Sequence, residues 1–155
     1  MNLTTKGRYG VRAMVDLAFR YQQGFVPVKR LCTRQEISVY YLEQLFSKLR
    51  HAGLVESLRG PKGGYRLAKA PDQITAGAII RVLEDSFAPV ECVDDEKVGD
   101  KCHRINICVT RFLWKEIKEK IGEILDNTTL EDLCQRIKDL PDYHKNMEHS
   151  FMYHI

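Results

Sequence analysis

Three cysteines lie close together in the second half of the chain. Cys92, Cys102 and Cys108 follow the spacing C-x9-C-x5-C, and the residues between the first two are mostly polar. Thiolate sulfur is a soft ligand that suits iron–sulfur clusters, zinc or copper. The grouping therefore predicts a sensor site. Three thiolates leave a four-ligand site incomplete, which favours a labile cluster, and a structural zinc site with His103 as the fourth ligand is the alternative.

The other two cysteines are predicted to have a different role. Cys32 and Cys134 fall within helical patterns, where a small buried packing residue is the expected use of cysteine. The total of five is odd, and the chain starts with no recognisable export signal. A disulfide framework is therefore not expected.

A second set of residues could recognise DNA bases. The stretch from Val28 to Ala68 divides into a short helix, a turn at residues 35–37, a longer helix and a basic, glycine-rich hairpin, which together indicate a winged helix-turn-helix. The second helix of such a unit places its N-terminal residues at base edges in the major groove. The predicted DNA contacts are Ser38, Tyr40, Tyr41, Glu43 and Gln44 at base edges, with Lys48 further along at the phosphates.

Two of these side chains suit particular bases. Glu43 can accept a hydrogen bond from cytosine N4, and Gln44 can pair with N6 and N7 of adenine. Arg59 and Gly60 stand at the predicted hairpin tip, between the short strands at residues 54–55 and 65–67. A guanidinium at such a tip suits a narrow, A·T-rich minor groove.

The remaining elements are helices. The patterns predict a first helix over residues 3–21 and another that begins after Thr75 as its N-cap. A long, one-sided helix runs from Val109 to about Asp126, and we interpret it as a dimerisation helix, with packing into the chain's own core as the alternative. Thr128 with Glu131 predicts a capping box at the start of a last helix.

Charge divides the chain into two unlike halves. Residues 1–70 hold 13 basic and 4 acidic residues, whereas residues 71–155 hold 11 and 17, for a net charge of +3. A basic half favours salt-dependent binding to nucleic acid. No run is long and apolar enough for a membrane span, so the sequence predicts a cytoplasmic protein that does not bind membranes. The predicted division is a winged-helix region (1–70), a connecting helix and linker (71–91), a cysteine loop (92–108), the dimerisation and following helices (109–138) and a flexible tail (139–155).

The chain resembles the Rrf-type winged-helix regulators over about residues 1–138. The resemblance rests on MNLTTKGRYGVRAM, on ISVYYLEQLFSKLRHAGLVESLRGPKGGYRLA, and on the three cysteines followed by a tryptophan-bearing helix. The most similar branch is the iron–sulfur cluster regulators, and other branches respond to nitric oxide or to cysteine metabolism. The resemblance implies a mainly α fold, a homodimer built on a long crossing helix, and a [2Fe–2S] cluster on Cys92, Cys102 and Cys108.

The sequence departs from the family pattern at the cluster. Arg111 stands where the family has a histidine ligand, and a guanidinium is not an ordinary metal ligand. His103 is the first candidate for the fourth ligand, followed by Asp94 or Asp95, or a group from a partner chain. Glu43, Gln44 and Arg59 match the family's DNA-contacting positions, whereas Tyr40 replaces a smaller residue.

Together these features predict a homodimeric transcription regulator that binds palindromic double-stranded DNA and controls iron–sulfur cluster assembly genes. One alternative is a regulator that senses nitric oxide or redox state through the same cluster. Another is an iron–sulfur carrier or redox protein that binds no specific DNA sequence. No constellation of a nucleophile with its base indicates an enzyme.

Overall fold

The computed structural model describes residues 3–94 and 102–140. Within these ranges it contains helices and one two-stranded antiparallel sheet, which confirms the predicted mainly α, winged-helix fold class. The elements are α1 (Thr5–Phe19), α2 (Val28–Gln35), α3 (Val39–His51), β1 (Val55–Leu58), β2 (Gly64–Leu67), α4 (Ala76–Leu83), α5 (Thr110–Asp126) and α6 (Leu130–Ile137). No helix in these ranges is long and apolar enough to cross a membrane.

The connection between α2 and α3 has the sharp turn of a helix-turn-helix. Glu36 adopts the left-handed conformation (φ 55°) and ends α2, while the Ile37 N–H donates to the carbonyl of Cys32. Ser38 then caps α3, because its hydroxyl oxygen accepts from the Tyr41 N–H at 3.1 Å. Gly53 follows the helix in the left-handed conformation (φ 73°), as its position in the sequence predicts.

The hairpin is tied to the start of α2 by backbone pairing. Val26 and Tyr65 exchange N–H···O bonds of 2.8 and 2.9 Å, so residue 26 extends the small sheet formed by β1 and β2. Gly64 permits this approach, since a Cβ at that position would collide with the carbonyl of Val26. Gly60 has a different requirement: it turns the hairpin tip with φ 108° and has open space around it.

Helix α1 lies at the centre of the core. Ala13, Met14 and Leu17 are fully or almost fully buried, and α1 packs against α2, α3, α4, α6 and β2. Glu84, at the end of α4, caps the start of α1. Its carboxylate accepts from the backbone N–H groups of Thr4 and Gly7, both at 2.9 Å. The position of α1 is therefore set at its N-terminal end by α4.

A buried carboxylate joins α1 to the end of α2. Asp16 pairs with Arg20 on its own helix and accepts two hydrogen bonds from Arg34, of 2.8 and 2.9 Å. The side-chain amide of Gln35 adds a further bond to the same carboxylate at 2.9 Å. Asp16 thus fixes the last turn of α2, directly before the turn that leads into α3.

Helices α4, α5 and α6 are held together near residues 74–77 and 126–130. Arg81 on α4 forms a two-pronged ion pair with Asp126 at the end of α5, above Gly77, where a Cβ would collide with the Asp126 carboxylate. The backbones also pair, with the Ala76 N–H donating to Thr128 O at 2.8 Å.

The predicted capping box at the start of α6 is wrong by one residue. Thr129, not Thr128, is the N-cap, and it exchanges hydrogen bonds with Asp132, not Glu131. The Thr128 hydroxyl instead donates to the carbonyl of Ile124 at 2.7 Å. Cys134 is buried in α6 and Cys32 is buried in α2, as their helical patterns predict.

Helix α5 has no buried residue, unlike α1, α3 and α4. Its apolar side chains include Phe112, which is 77% exposed, and Ile124, which is 66% exposed. Such exposure does not support the alternative in which α5 packs into the core of its own chain. Exposed apolar side chains that cluster on a protein surface mark an interaction site, so α5 offers a surface for a partner.

Replacement of Asp16 by asparagine is expected to lower the free energy of unfolding by about 3 kcal/mol, because Arg20 and Arg34 would lose their counter-charge in a buried site. Urea denaturation followed by circular dichroism measures the change. Asp72→Asn is the matched control, since Asp72 is exposed, and it should change stability by less than about 0.5 kcal/mol. Equal effects of the two substitutions would contradict a stabilising role for the buried carboxylate.

Candidate DNA interface and cysteine site

The exposed surface of α3 carries most of the predicted DNA contacts. Tyr40 is 73% exposed, and Gln44 and Lys48 follow it at intervals of four, so the three form one line along the helix. Ser38 lies at the N-terminal end of this line, where its side chain already caps the helix. Along this line the Tyr40 ring and the Gln44 amide suit contacts to base edges. The Lys48 ammonium group suits a contact to phosphate.

Tyr41 has a different environment from the other predicted contacts. Its ring is partly buried and packs edge-on against Tyr9 of α1, with 6.0 Å between ring centroids. Its hydroxyl donates to the hydroxyl oxygen of Thr5 at 3.1 Å. The structure therefore places Tyr41 at the junction of α1 and the recognition helix, where it orients α3.

A second line on α3 faces the hairpin across a groove of about 740 Å³. Glu43, Ser47 and Arg50 line one wall, and the Arg50 guanidinium donates to the Ser57 hydroxyl of β1 at 3.2 Å. Arg59 and Gly60 lie at the outer end of the same groove. The groove thus brings together the recognition helix and the hairpin tip, as a winged helix-turn-helix requires.

Charge in this groove is mostly positive. Lys29, Arg50 and Arg59 line it, and Glu43 is the one acid among the described residues that do so. Burial, and then the negative charge of Glu43, raise the pKa of the nearby Tyr65 hydroxyl. A lone carboxylate among cations at a DNA-facing surface attracts a base amino group and repels phosphate, so it can discriminate between DNA sites.

Two groove residues were missed from the sequence. Lys29 lies in the first turn of α2 and Ser57 lies within β1. Ser57 reaches the groove as part of the hairpin, whereas Lys29 reaches it because Val26 pairs with Tyr65 and brings the start of α2 beside the hairpin. That pairing depends on tertiary structure, and only the unusual double glycine before Tyr65 could have indicated it.

The cysteine site consists of residues before α5. Cys92 is on a short 3-10 turn, Glu91–Val93, and is partly buried, as is Cys108. Cys102 and His103 are exposed. Residues 95–101, which include the candidate ligand Asp95, fall outside the described residues, as does the predicted tail from residue 141.

Arg111 connects two of the three cysteines. Its Nε donates to the carbonyl of Cys92 at 3.3 Å, and its backbone N–H donates to the carbonyl of Cys108 at 3.2 Å. Arg111 therefore holds the Cys92 segment against the first turn of α5. Its guanidinium is not an ordinary metal ligand.

Cys108 has the environment of a stabilised thiolate. A hydrogen bond with the Thr110 hydroxyl, with Sγ and Oγ1 3.2 Å apart, lowers the pKa of the Cys108 thiol, and backbone N–H groups at the start of α5 lower it further. Thiolate is the form that binds metals, so the donor chemistry of this segment fits an iron–sulfur cluster or zinc. Among the described residues, no three His, Cys, Asp or Glu side chains lie close enough together to hold a metal ion.

Comparison with known proteins places the chain among transcription regulators. The family profile described as "Rrf2: Iron-dependent Transcriptional regulator" matches residues 3–136. The HTH-type transcriptional regulator CymR of Bacillus subtilis is 42% identical over 155 residues, which is 100% of both chains. The HTH-type transcriptional regulator IscR of Erwinia tasmaniensis is 46% identical over 133 residues, which cover 86% of this chain and 78% of that protein.

Solved structures of regulators with the same two names also superimpose on this chain. CymR (YrzC), described as the global cysteine regulator of B. subtilis, superimposes with a TM-score of 0.73 at 44% identity, and the match covers 88% of this chain and 98% of that one. IscR of T. potens superimposes with a TM-score of 0.71 at 42% identity, and covers 88% of each chain. These relatives are named as regulators and not as enzymes, which confirms the prediction that this chain is not an enzyme. The comparisons do not single out the iron–sulfur branch, because CymR and IscR are about equally similar.

Thr110→Val is expected to slow alkylation of Cys108 by iodoacetamide at pH 7 in the reduced, metal-free chain. A lowered pKa gives more thiolate at a given pH, so loss of the Thr110 hydroxyl should move the midpoint of the pH–rate profile to higher pH. Mass spectrometry of the labelled peptides measures each cysteine separately. Cys102 serves as the internal control, whose rate should not change. An unaltered Cys108 profile would show that the hydroxyl does not stabilise the thiolate.

Proposed function

The chain belongs to the Rrf2 family of DNA-binding transcription regulators, and on that premise we propose that it is a homodimer that senses iron–sulfur status through Cys92, Cys102 and Cys108. The observation that carries the proposal is the junction at the start of α5. There Arg111 holds the Cys92 segment beside Cys108, whose thiol has a lowered pKa. Cluster binding needs thiolates on segments held close together, and Arg111 bonds to the backbone carbonyls of both Cys92 and Cys108.

The three thiolates would hold a [2Fe–2S] cluster. When bound, the cluster supplies a labile group whose presence follows the supply of iron and sulfide. His103 remains the first candidate for the fourth ligand because it is exposed and follows Cys102 directly. Asp94, which is buried beside Cys92, is the next candidate, and Asp95 and a group of a partner chain remain further ones.

The exposed face of α5 supports the dimer. Phe112, Leu113 and Ile124 are each at least half exposed in one chain, and the same face of a second copy could cover them. A two-fold dimer would present two copies of α3 to a palindromic operator. Because Cys108 immediately precedes α5, loading of the cluster could alter how the two copies are arranged.

At the DNA, we assign different tasks to the two lines of α3. Gln44 would read an adenine, and Glu43 would accept from cytosine while disfavouring other sites. Lys48 would contact phosphate, and Arg59 would enter the minor groove from the hairpin tip, with Gly60 allowing close approach. With this signal, the regulator would control iron–sulfur cluster assembly genes.

A second candidate signal is cysteine supply. The full-length similarity to CymR, whose solved structure is described as that of a global cysteine regulator, favours it. In that case the three cysteines would not need to hold a cluster. A regulator that senses nitric oxide or redox state would hold the same cluster, but the cluster would react with a different signal. An iron–sulfur carrier would also hold the cluster, but it would not bind a specific DNA sequence.

Anaerobic purification is expected to give a coloured protein with about two iron and two sulfide per chain. Cys102→Ala should bleach it, because a ligand is lost, whereas Cys32→Ala should keep its colour, since Cys32 is buried in α2. Visible absorption together with iron and sulfide analysis makes the measurement. A colourless wild-type protein would favour the cysteine-supply regulator, and one zinc per chain would favour the structural zinc site. Reaction of the coloured protein with nitric oxide then separates sensing of nitric oxide from sensing of iron–sulfur status.

Arg59→Ala is expected to weaken operator binding about tenfold or more and to relax any A·T preference under the hairpin. Arg66→Ala is the matched control. It removes the same charge from the same hairpin, but Arg66 pairs with Glu56 and stacks on Phe25, away from the groove. Fluorescence anisotropy with operator DNA at several salt concentrations measures both. If the two variants bound alike, the assignment of the hairpin tip to DNA would be wrong.

A further inference from the structure

The groove between α3 and the hairpin has a third wall, which the start of α2 forms. Pro27, Val28 and Lys29 line the groove there. The Lys29 side chain is exposed, and within residues 3–94 and 102–140 its ammonium group forms no ion pair. The DNA contacts assigned to α3 and to the hairpin tip leave this wall and its cation without a role.

Backbone pairing fixes the position of Lys29 relative to the hairpin. Val26 and Tyr65 exchange N–H···O bonds of 2.8 and 2.9 Å, and α2 begins soon after Val26, at Val28. Gly64 permits the close approach of the two segments, since a Cβ there would collide with the carbonyl of Val26. Lys29 lies in the first turn of α2, so it keeps its place beside the hairpin.

Positive charge exceeds negative charge in this groove. Lys29, Arg50 and Arg59 line it, and Glu43 is the one acid among the described residues that do so. The Arg50 guanidinium donates to the Ser57 hydroxyl at 3.2 Å, and because that partner is neutral, the contact leaves the charge of Arg50 in place. The lining therefore carries three positive charges against one negative charge, which suits an anion that extends along the groove.

The geometry of DNA indicates which anion enters this space. In a winged helix-turn-helix, the recognition helix lies in the major groove and the hairpin tip reaches into a minor groove. One sugar–phosphate strand separates neighbouring major and minor grooves, so that strand passes between α3 and the hairpin. The hydroxyls of Ser47 and Ser57 also line this space and can donate to phosphate oxygens. The ammonium group of Lys29 is a compact point charge that suits the same acceptor.

We propose that Lys29 contacts a phosphate of the strand that passes between α3 and the hairpin, and that it anchors the hairpin on DNA of any sequence. This assignment rests on the proposed binding to operator DNA, and it adds a contact from α2 to those of α3 and the hairpin tip. Phosphate contacts fix the position of a protein on the duplex without reading its bases. Because the pairing of Val26 with Tyr65 joins Lys29 to the hairpin, the contact would set how Arg59 meets the minor groove.

The test uses operator DNA that the full wild-type chain selects from random duplexes, with all variants compared at equal iron content. Lys29→Gln is expected to weaken binding about fivefold or more and to lower the slope of log affinity against log salt concentration by about one per chain, because a phosphate contact is lost. Lys29→Arg keeps the charge and should keep the wild-type affinity and slope.

Arg30→Gln is the matched control. It removes one positive charge from the next residue of α2, which is exposed and does not line the groove, and it should stay within about twofold of the wild type. If Lys29→Gln and Arg30→Gln bound alike with the same salt slope, this proposal alone would be overturned. A wild-type chain that selected no DNA sequence would overturn it together with the proposed regulator.

Two further arms test the kind of contact. Single methylphosphonate groups, which lack the phosphate charge, are placed in turn along each strand of the operator. At the contacted phosphate, this change should weaken the wild type and Arg30→Gln but not Lys29→Gln, because that variant has already lost the contact. Additive losses at every position would overturn the proposal. Single-base changes in the operator should weaken the wild type and Lys29→Gln in the same proportion, whereas a changed order of base preference would assign Lys29 to a base edge and overturn it as well.

Discussion

The buried carboxylate of Asp16 is the interaction on which the DNA-binding half depends. It lies on α1, at the centre of the core, and binds the last turn of α2 through Arg34 and Gln35. The direction in which α2 ends sets the turn at Glu36, and that turn sets the direction of α3. Charge pairing inside a core is sensitive to the loss of one partner, so Asp16 contributes to the orientation of α3 through the end of α2, together with the contacts that Tyr41 makes to α1.

A second constraint joins the cysteine site to this half of the molecule. Helix α4 packs against α1, α3 and α5, and two side chains near its C-terminal end add links to α1 and α5. Glu84 holds the start of α1, while Arg81 holds the end of α5. A change at α5 could therefore reach the recognition helix through packed and hydrogen-bonded contacts, with α4 between them.

The capping box of α6 shows where local sequence is ambiguous. Thr128 and Thr129 each have an acid three residues later, so both pairs satisfy the pattern. Pairing of the Thr128 carbonyl with the Ala76 N–H, across 52 positions of the chain, decides between them. A local rule predicts that a helix starts here, but the long-range backbone contact selects the residue.

The sequence by itself determined the elements and the types of chemistry. Hydrophobic spacing defined α3 and α5, Ser38 and Gly53 marked the ends of α3, and three clustered cysteines indicated a soft-metal site, because each signal depends on neighbours in the chain. Only the tertiary structure decided which side chains meet. It placed Tyr41 against α1 and brought Lys29 into the groove between α3 and the hairpin. It also showed that Arg111 donates a hydrogen bond to the carbonyl of Cys92. These contacts join residues distant in sequence, and the packing that brings them together leaves no periodic signal.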